Sequence, residues 1–558
     1  MTDKFAKKKG MRLSKDSLIK GTLILALAAF VARFLGMIVR IPLLHMLGNE
    51  GMAAFVIANN IYLVLLLVAT AGIPSALSKL ISERLALGLE QEAREIYRAA
   101  LTFSVTAGMV ITILLFGAAP TYARAIGNPD SALAIRALAP ALLVFPTIAI
   151  MRGYFQGHQN MTAGAMSQIY EQFVRVGGAI VLAWMILQMG YGTKEAAAAA
   201  SFGGVLGSLA AFIVMLVYSR KLNRSKESAR TSVSPPVSGP DSAQGSKAGW
   251  LSIYKNLFRL SVPIAVFSMA VPLVHAIDSS TVIPLLEGHI GLTRATEMLG
   301  LLGGKAQPIA GIPPILATAL SMSIVPIVSS AFAKGDMNEV EAKASQTLRI
   351  SVLSGLPLVL ILVVAARPVN GFLFPDLQGT DLIMWMTLAS MFQIMMATSG
   401  AILMGIGKTT LPMTNAMVGI AAKLAGSFAL AAVFGIYGIL LSTIACFAIA
   451  MWLNLRLLKK RVQYRILGRN WWPVLGAASA TAIIGILVEI GLYHANLMIF
   501  SGVTKFGFAF NAAFVACTVL AVYVVVLWKA GVVTANDIRV LPAPLQKVLS
   551  RFEIKTRP

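Results

Sequence analysis

The chain has 558 residues, of which 57% are hydrophobic and only 13% are charged, and its mean hydropathy is +0.78. This composition excludes an ordinary soluble globular protein and indicates a polytopic membrane protein. A net charge of +24 by itself would suggest nucleic-acid binding. The distribution of the basic residues along the chain instead explains most of that charge by membrane orientation.

Fourteen hydrophobic segments are long enough to cross a hydrocarbon core of ~30 Å as helices. We predict them at residues 18–44, 53–78, 99–119, 132–151, 163–188, 196–219, 257–286, 309–330, 347–366, 382–405, 411–434, 436–455, 473–494 and 507–528. The N-terminal tail, the even-numbered loops and the C-terminal tail hold 33 of the 47 Lys and Arg residues, whereas the odd-numbered loops hold six. Because positively charged loops stay in the cytoplasm, both termini are predicted to be cytoplasmic.

A polar stretch rich in Ser, Pro, Gly and charged residues follows the sixth segment, at 222–250. Its composition cannot bury a core, so it is predicted to be a disordered cytoplasmic linker. It would separate an N-lobe of segments one to six (1–221) from a C-lobe of segments seven to twelve (251–462). Segments thirteen and fourteen (463–530) and a cytoplasmic tail (531–558) complete the predicted organisation.

An internal repeat supports the division into two lobes. With an offset of 248, QGHQNMTAGAMSQIYEQFVRV aligns with MGIGKTTLPMTNAMVGIAAKLAG, so that Gly157 falls on Gly405 and Arg175 on Lys423. Each half contributes six spans, so the repeats are parallel. Transporters with parallel repeats bind substrate between the halves near the membrane midplane.

Five basic residues lie inside the predicted spans beyond the first turn at their cytoplasmic ends, and such charges usually face a cavity or a partner. Arg33 is predicted to lie near the midplane of helix one, and Arg40 follows seven residues later. Seven residues make nearly two helical turns, so the two arginines share a face and are candidate substrate-binding residues. Arg136 lies about one turn from the outer surface, where its side chain is predicted to extend to the interface.

The remaining charged residues in the spans suggest an ion pair, an anion site and an ion-coupling site. Glu171 and Arg175 are four residues apart in helix five, which suits an intrahelical ion pair. Lys423 has no acidic residue within one turn, so it is predicted to face an external anion or water. Asp278 precedes the hydroxyl residues 279–281, which could hold Na⁺ or a proton or simply form a hydrogen-bonded kink. Asp278 and Glu171 are therefore the candidates for ion coupling.

The sequence lacks the usual signals of an enzyme or a metalloprotein. Cys446 and Cys517 both lie inside spans, and the five histidines have no zinc-ligand spacing. GIGKTT at 405–410 lacks the first glycine of a phosphate loop, because position 402 is Ile402. We therefore predict a transporter without cofactor or metal, in which coupling to Na⁺, H⁺ or the membrane potential is left open.

Three motifs resemble the MurJ and stage V sporulation protein B branch of the polysaccharide exporters. They are KGTLILALAAFVARFLGMIVRIP, AGIPSALSKLISE and MRGYFQGHQNMTAGAMSQIYEQFVRV. The resemblance implies an all-α, MATE-like fold of two six-helix lobes plus two C-terminal helices that form a groove for a lipid tail. It also implies a bacterial plasma-membrane flippase that moves lipid II, the undecaprenyl-diphosphate-linked peptidoglycan precursor, and that works beside the cell-wall synthesis or division machinery. In such flippases helix-one arginines line a cationic cavity, a pattern on which Arg33 and Arg40 fall, and Lys305 is nearest to a basic residue at the start of helix eight.

Elementary chemistry favours the same function. A diphosphate headgroup is anionic and large, and beyond the first turn at their cytoplasmic ends the predicted spans contain five bases against three acids. The alternatives are a flippase for another lipid-linked glycan and a cation-coupled multidrug exporter, which would need an acidic cavity. A membrane glycosyltransferase would need an acidic pair on a large outer loop, which the sequence does not offer. A purely structural division scaffold would not need charges inside its spans.

Overall fold

The computed structural model describes residues 31–32, 34–36, 38–70, 73–158, 160–231, 262–500 and 504–532. Within these ranges the chain forms helices and no strand, as predicted for an all-α protein. The chain divides into two compact units, Met1–Gly304 and Lys305–Pro558.

The first unit contains helices of very different length, two of which continue well beyond the predicted spans. They are α1 (Arg40–Thr70), α2 (Ile73–Ala86), α3 (Glu90–Ala125), α4 (Ser131–Leu138), α5 (Ala141–Gly157), α6 (Met161–Gln188), α7 (Thr193–Thr231), α8 (Ala270–Ile290) and α9 (Leu292–Leu301).

A break inside α1 separates the end of predicted span one from span two. Gly48 has φ 64° and ψ −174°, a conformation that glycine adopts without a steric penalty. The helix therefore changes direction at Gly48, although the residues on both sides are helical. Much of predicted span one lies outside the described ranges, which begin at residue 31.

Close contact between α6 and α7 fixes the face of α6 that carries the predicted site residues. A Cβ atom at Gly203 of α7 would lie 2.6 Å from the backbone nitrogen of Ala179, and one at Gly207 would lie 2.7 Å from Cβ of Arg175. These two glycines, four residues apart, let the two backbones approach as in other small-residue contacts between membrane helices.

The second unit begins within a π-helix, Leu302–Ala306, that joins the two units in sequence. Its helices are α10 (Gln307–Ala310), α11 (Pro313–Ala333), α12 (Met337–Val364), α13 (Ala366–Leu373), α14 (Thr380–Gly405), α15 (Thr410–Phe434), α16 (Ile436–Lys459), α17 (Trp471–Phe500) and α18 (Lys505–Lys529).

The C-terminal helix pair is integrated into the second unit. Val519 and Tyr523 of α18 are buried in the same apolar core as Leu348 and Val352 of α12. At the other end of α18, the ring of Phe508 lies 2.7 Å from the position that a Cβ atom of Gly371 in α13 would occupy. Burial of these apolar surfaces holds α18 against α12 and α13.

Most predicted spans coincide with helices, but the described part of the chain shows fewer than fourteen that could cross a membrane. Ten described helices are long and apolar enough to cross a membrane, or up to twelve if two bent pairs each count as one span. One bent pair is α4 with α5 at 40°, where the sequence predicts span four, and the other is Val262–Ser268 with α8 at 50°, where it predicts span seven. Predicted span eight coincides with α11, and the total of fourteen is not confirmed.

The compact units divide the chain later than the predicted lobes do. The helix of predicted span seven, α8, belongs to the first unit, where Asn60 of α1 donates hydrogen bonds to the Ser279 hydroxyl (2.6 Å) and the His275 carbonyl (3.3 Å). In addition, α7 continues to Thr231, so the first ten residues of the predicted 222–250 linker are helical. The Arg, Lys, Glu and Ala residues of that stretch have high helix propensity.

Candidate functional site

The buried carboxylate of α6 pairs with α5 rather than with its own helix. Glu171 is only 4% exposed, and its Oε2 accepts a hydrogen bond of 2.8 Å from Nη2 of Arg152. The same guanidinium donates to the hydroxyl of Ser167, one turn earlier on α6, at 2.9 and 3.2 Å. The predicted Glu171–Arg175 ion pair is therefore wrong, because Arg152 reaches two acceptors on α6 at once.

Arg175 is held by an amide and not by a carboxylate. Its Nη2 donates to Oε1 of Gln172 at 3.1 Å and lies 3.6 Å from the position that a Cβ atom of Gly36 would occupy. Among the residues that the structure describes, Arg175 forms no ion pair. Its guanidinium thus lies beside Gly36, and most of its five N–H donors have no acceptor among the described residues.

Arg40, at the start of α1, lies near Arg175. It donates a hydrogen bond to the carbonyl oxygen of Gly303 in the π-helix, and its charge lies close enough to Arg175 for the two to repel. Within the described part of the chain Arg40 has no acidic partner either. Arg33, the other predicted helix-one residue, lies outside the described residues.

Tyr62 connects α1 to the charges of α5 and α6. It is buried and lies within electrostatic range of Arg152, Glu171 and Arg175. We call Arg40, Arg152 and Arg175 the arginine cluster. It carries three guanidinium groups and one neutralising carboxylate, so it can bind an anion that offers several oxygen acceptors.

Asp278 lies on α8, where it is fully buried. The hydroxyls of Ser279, Ser280 and Thr281 each donate to a carbonyl four residues earlier in the same helix, at 2.7–2.8 Å. Such bonds can bend a helix, and the hydrogen-bonded kink considered from the sequence stays a prediction. The role of Asp278 in ion coupling stays a prediction.

Lys423 is fully buried in the second unit between α15 and α16. Its Nζ donates to Oγ1 of Thr443 at 2.8 Å and to the carbonyl of Ile439 at 3.5 Å. The expectation that this lysine needs an external anion is wrong, because α16 supplies the acceptors that the sequence around Lys423 lacks. Its role in substrate binding stays a prediction.

Lys305, within the π-helix, is likewise enclosed by its own unit. Its ammonium donates to Oδ1 of Asp376 (2.7 Å), to the Asp376 carbonyl (3.2 Å) and to the Gln378 carbonyl (3.0 Å), and it lies 5.4 Å from the ring centre of Phe374. Burial lowers the pKa of Lys305, and the neighbouring Asp376 carboxylate partly offsets this effect. In this conformation the three donors of Lys305 are all used.

The sequence interpretation missed Arg152. The arginine opens the RGYFQG motif, but it falls one residue beyond predicted span four and was therefore counted as a loop residue. The helix continues to Gly157, which places Arg152 within a turn of the middle of α5. The signal was an arginine and a glutamate within one motif-bearing hairpin, because adjacent antiparallel helices bring such residues together.

Comparison with known proteins identifies the relatives of this chain. A family model described as polysaccharide biosynthesis protein matches residues 18–332, more than half of the chain. The lipid II flippase MurJ of Bacillus subtilis (strain 168) is 27% identical over 495 residues, covering 85% of this chain and 88% of that protein. Stage V sporulation protein B of the same organism is 27% identical over 436 residues, covering 75% and 79%.

Solved structures agree on the fold. The lipid II flippase MurJ in an inward closed conformation matches with a TM-score of 0.63 at 13% identity, covering 91% of this chain and 99% of that one. A multidrug resistance MATE family transporter of the MOP superfamily, in an inward-facing conformation, matches with a TM-score of 0.60 at 14% identity, covering 77% and 96%. The chain therefore has the predicted MATE-like helical fold.

Proposed function

The chain belongs to the polysaccharide biosynthesis protein family, and on this premise we propose that it is a membrane flippase like MurJ and stage V sporulation protein B and that it flips lipid II. In this proposal the undecaprenyl-diphosphate-linked peptidoglycan precursor passes from the inner to the outer leaflet of the bacterial plasma membrane by alternating access. The observation that carries the proposal is the arginine cluster, in which Arg40 and Arg175 have no acidic partner among the described residues.

The chemistry of the substrate suits this cluster. A diphosphate linked to a sugar and a lipid carries two negative charges and several non-bridging oxygens. Two guanidinium groups can accept both charges and offer parallel N–H donors, which a lysine cannot reproduce. A drug exporter for cations would be disfavoured here, because the two unpaired arginines would repel such a substrate.

The test is complementation of a bacterium depleted of its own lipid II flippase, with the accessibility of lipid II at the outer leaflet as readout. Arg40→Met and Arg175→Met should each accumulate in the membrane but fail to restore flipping. Loss of one charged hydrogen bond weakens substrate binding by about 1.5–3 kcal/mol, which is roughly a 10- to 150-fold change in Kd.

Arg136→Met is the matched control. This arginine is exposed, donates to the Phe116 carbonyl at 3.2 Å and lies 5.3 Å from the centre of that ring, away from the cluster. It should flip lipid II as the parent does. Normal flipping by both Arg40→Met and Arg175→Met would refute the proposed site. Failure of the parent to complement, combined with transport of a different polyprenyl-linked glycan in vesicles, would favour the alternative substrate.

The proposed orientation has the N-terminus, the 222–250 linker and the C-terminus on the cytoplasmic side. The asymmetry of 33 basic residues against six supports it. A cysteine introduced at position 235 should react with an impermeant reagent only after the cells are opened. Labelling of that cysteine in intact cells would contradict the orientation.

A further inference from the structure

Four polar side chains of α5 and α6 form one continuous hydrogen-bonded chain. Arg152 donates to Oε2 of Glu171 at 2.8 Å, Gln172 Nε2 donates to Oε1 of Glu171 at 3.4 Å, and Arg175 Nη2 donates to Oε1 of Gln172 at 3.1 Å. We call these four residues the α6 relay. It ends at the guanidinium that the proposed function assigns to the substrate.

The charges at the two ends fix the direction of every bond in the relay. A carboxylate can only accept hydrogen bonds and a guanidinium can only donate them. The amide of Gln172 must therefore turn its NH₂ group towards Glu171 and its oxygen towards Arg175. A side chain at position 171 that could also donate would allow the Gln172 amide to turn the other way, and Arg175 would then lose its acceptor.

We propose that Glu171 and Arg152 are positioning residues, which hold Arg175 in one conformation beside helix one through the amide of Gln172. The inference rests on the proposed function, in which Arg175 binds the anionic headgroup. An arginine side chain has many rotamers, and fixing one of them before the substrate arrives removes an ordering cost from binding. Arg152 pairs with the buried Glu171 at 2.8 Å, and Glu171 in turn orients the amide of Gln172.

This assignment reverses the expectation for Glu171 that follows from the sequence. If Glu171 paired with Arg175, its removal would free the arginine and tighten substrate binding. In the relay its removal instead loosens Arg175 and weakens binding. Glu171→Gln therefore distinguishes the two arrangements by the sign of its effect.

Gly36 offers a local reporter that does not depend on transport. A Cβ atom there would lie 3.6 Å from Arg175 Nη2 and 3.8 Å from Gln172 Oε1, which is ordinary van der Waals contact, so Gly36→Cys fits. A guanidinium beside a thiol stabilises the reactive thiolate. The rate of alkylation of this cysteine by iodoacetamide at one neutral pH then reports whether Arg175 stays in place.

The experiment uses the full-length protein with Cys446→Ala and Cys517→Ala, so that only the introduced cysteine reacts. Gly36→Cys should be alkylated about tenfold faster than the same variant carrying Arg175→Met. Adding Glu171→Gln or Gln172→Leu should lower the rate to within about twofold of the Arg175→Met value. Gln172→Leu leaves the Arg152–Glu171 pair intact, so it serves if Glu171→Gln does not fold.

Glu95→Gln is the control, because Glu95 is an exposed carboxylate on α3 and its loss changes the net charge equally. It should leave the alkylation rate at the parent value. Parent rates in both Glu171→Gln and Gln172→Leu would overturn the relay. The flipping assay separates the two proposals: if Arg40→Met and Arg175→Met both flip lipid II normally, the proposed site fails, whereas the alkylation series still decides whether the relay positions Arg175.

Discussion

Asp376→Asn should destabilise the second unit, because it removes the carboxylate that pairs with the fully buried Lys305. Lys305 is 0% exposed, whereas Asp376 is 40% exposed. Removing one partner of a buried ion pair costs about 3–5 kcal/mol. Since water reaches Asp376 and two carbonyls remain bound to Lys305, we expect a smaller loss of about 2–3 kcal/mol. For a unit of this size that loss lowers the melting temperature by about 5–10 °C.

The loss should also depend on pH in a defined direction. Burial lowers the pKa of Lys305 below its ordinary value of 10.5, and Asp376 partly restores it, so the substitution lowers that pKa further. A lysine that binds its proton more weakly in the folded state disfavours folding below the folded-state pKa, and the penalty fades as the pH rises through that value towards 10.5. The gap between variant and parent melting temperatures should therefore narrow between neutral and alkaline pH.

Thermal unfolding of the detergent-solubilised protein, followed by tryptophan fluorescence, measures both effects. Glu297→Gln is the control, because Glu297 forms an ion pair of 2.8 Å with Arg294 on an exposed helix face. Such a surface pair contributes about 0.5 kcal/mol or less, so the melting temperature should hardly change. An Asp376→Asn protein that melts with the parent, or a gap that widens with pH, would refute the reasoning.

Three further outcomes follow from contacts within each unit. Gly203→Ala should lower stability by about 1–3 kcal/mol, because its Cβ would lie 2.6 Å from the backbone of α6, whereas Gly177→Ala, with nothing within 4 Å, should leave the melting temperature unchanged or slightly higher. Thr443→Val should cost about 1–3 kcal/mol in the same melting assay, because it takes a 2.8 Å acceptor from the buried ammonium of Lys423, and an unchanged melting temperature would speak against that contact. Asp278→Asn should abolish the dependence of flipping on a Na⁺ or H⁺ gradient in vesicles, and a variant that keeps the parent's ion dependence would exclude Asp278 as the coupling acid.

The positions of the helices could be predicted from the sequence because bilayer thickness and hydrophobicity act on each segment separately. The apolar stretch at 411–434, for example, corresponds to α15 within one residue. The bends were not predictable in the same way. The length of the 132–151 stretch does not show that α4 and α5 meet at 40°; the bend falls at Pro140, which lacks the backbone N–H that would continue the helix.

The partners of the charged residues could not be read from spacing along one helix. The interval of four residues between Glu171 and Arg175 allows an ion pair. Glu171 instead pairs with Arg152 of the neighbouring helix α5, which also donates to Ser167. The prediction for Lys423 was wrong for the same reason, because its acceptors lie on the neighbouring helix α16. Spacing describes what a helix permits, whereas packing between helices decides which contact forms.

The π-helix at Leu302–Ala306 has a consequence for the alignment of this chain with its relatives. One extra residue in a helical turn rotates everything that follows by about 100° and moves it along the axis by ~1.5 Å. Any relative that keeps a regular α-helix here would present its side chains one position out of step with this chain. An alignment with such a relative between Leu301 and Gln307 therefore needs a one-residue gap. Lys305 should then be compared with the relative's residues on both sides of the gap.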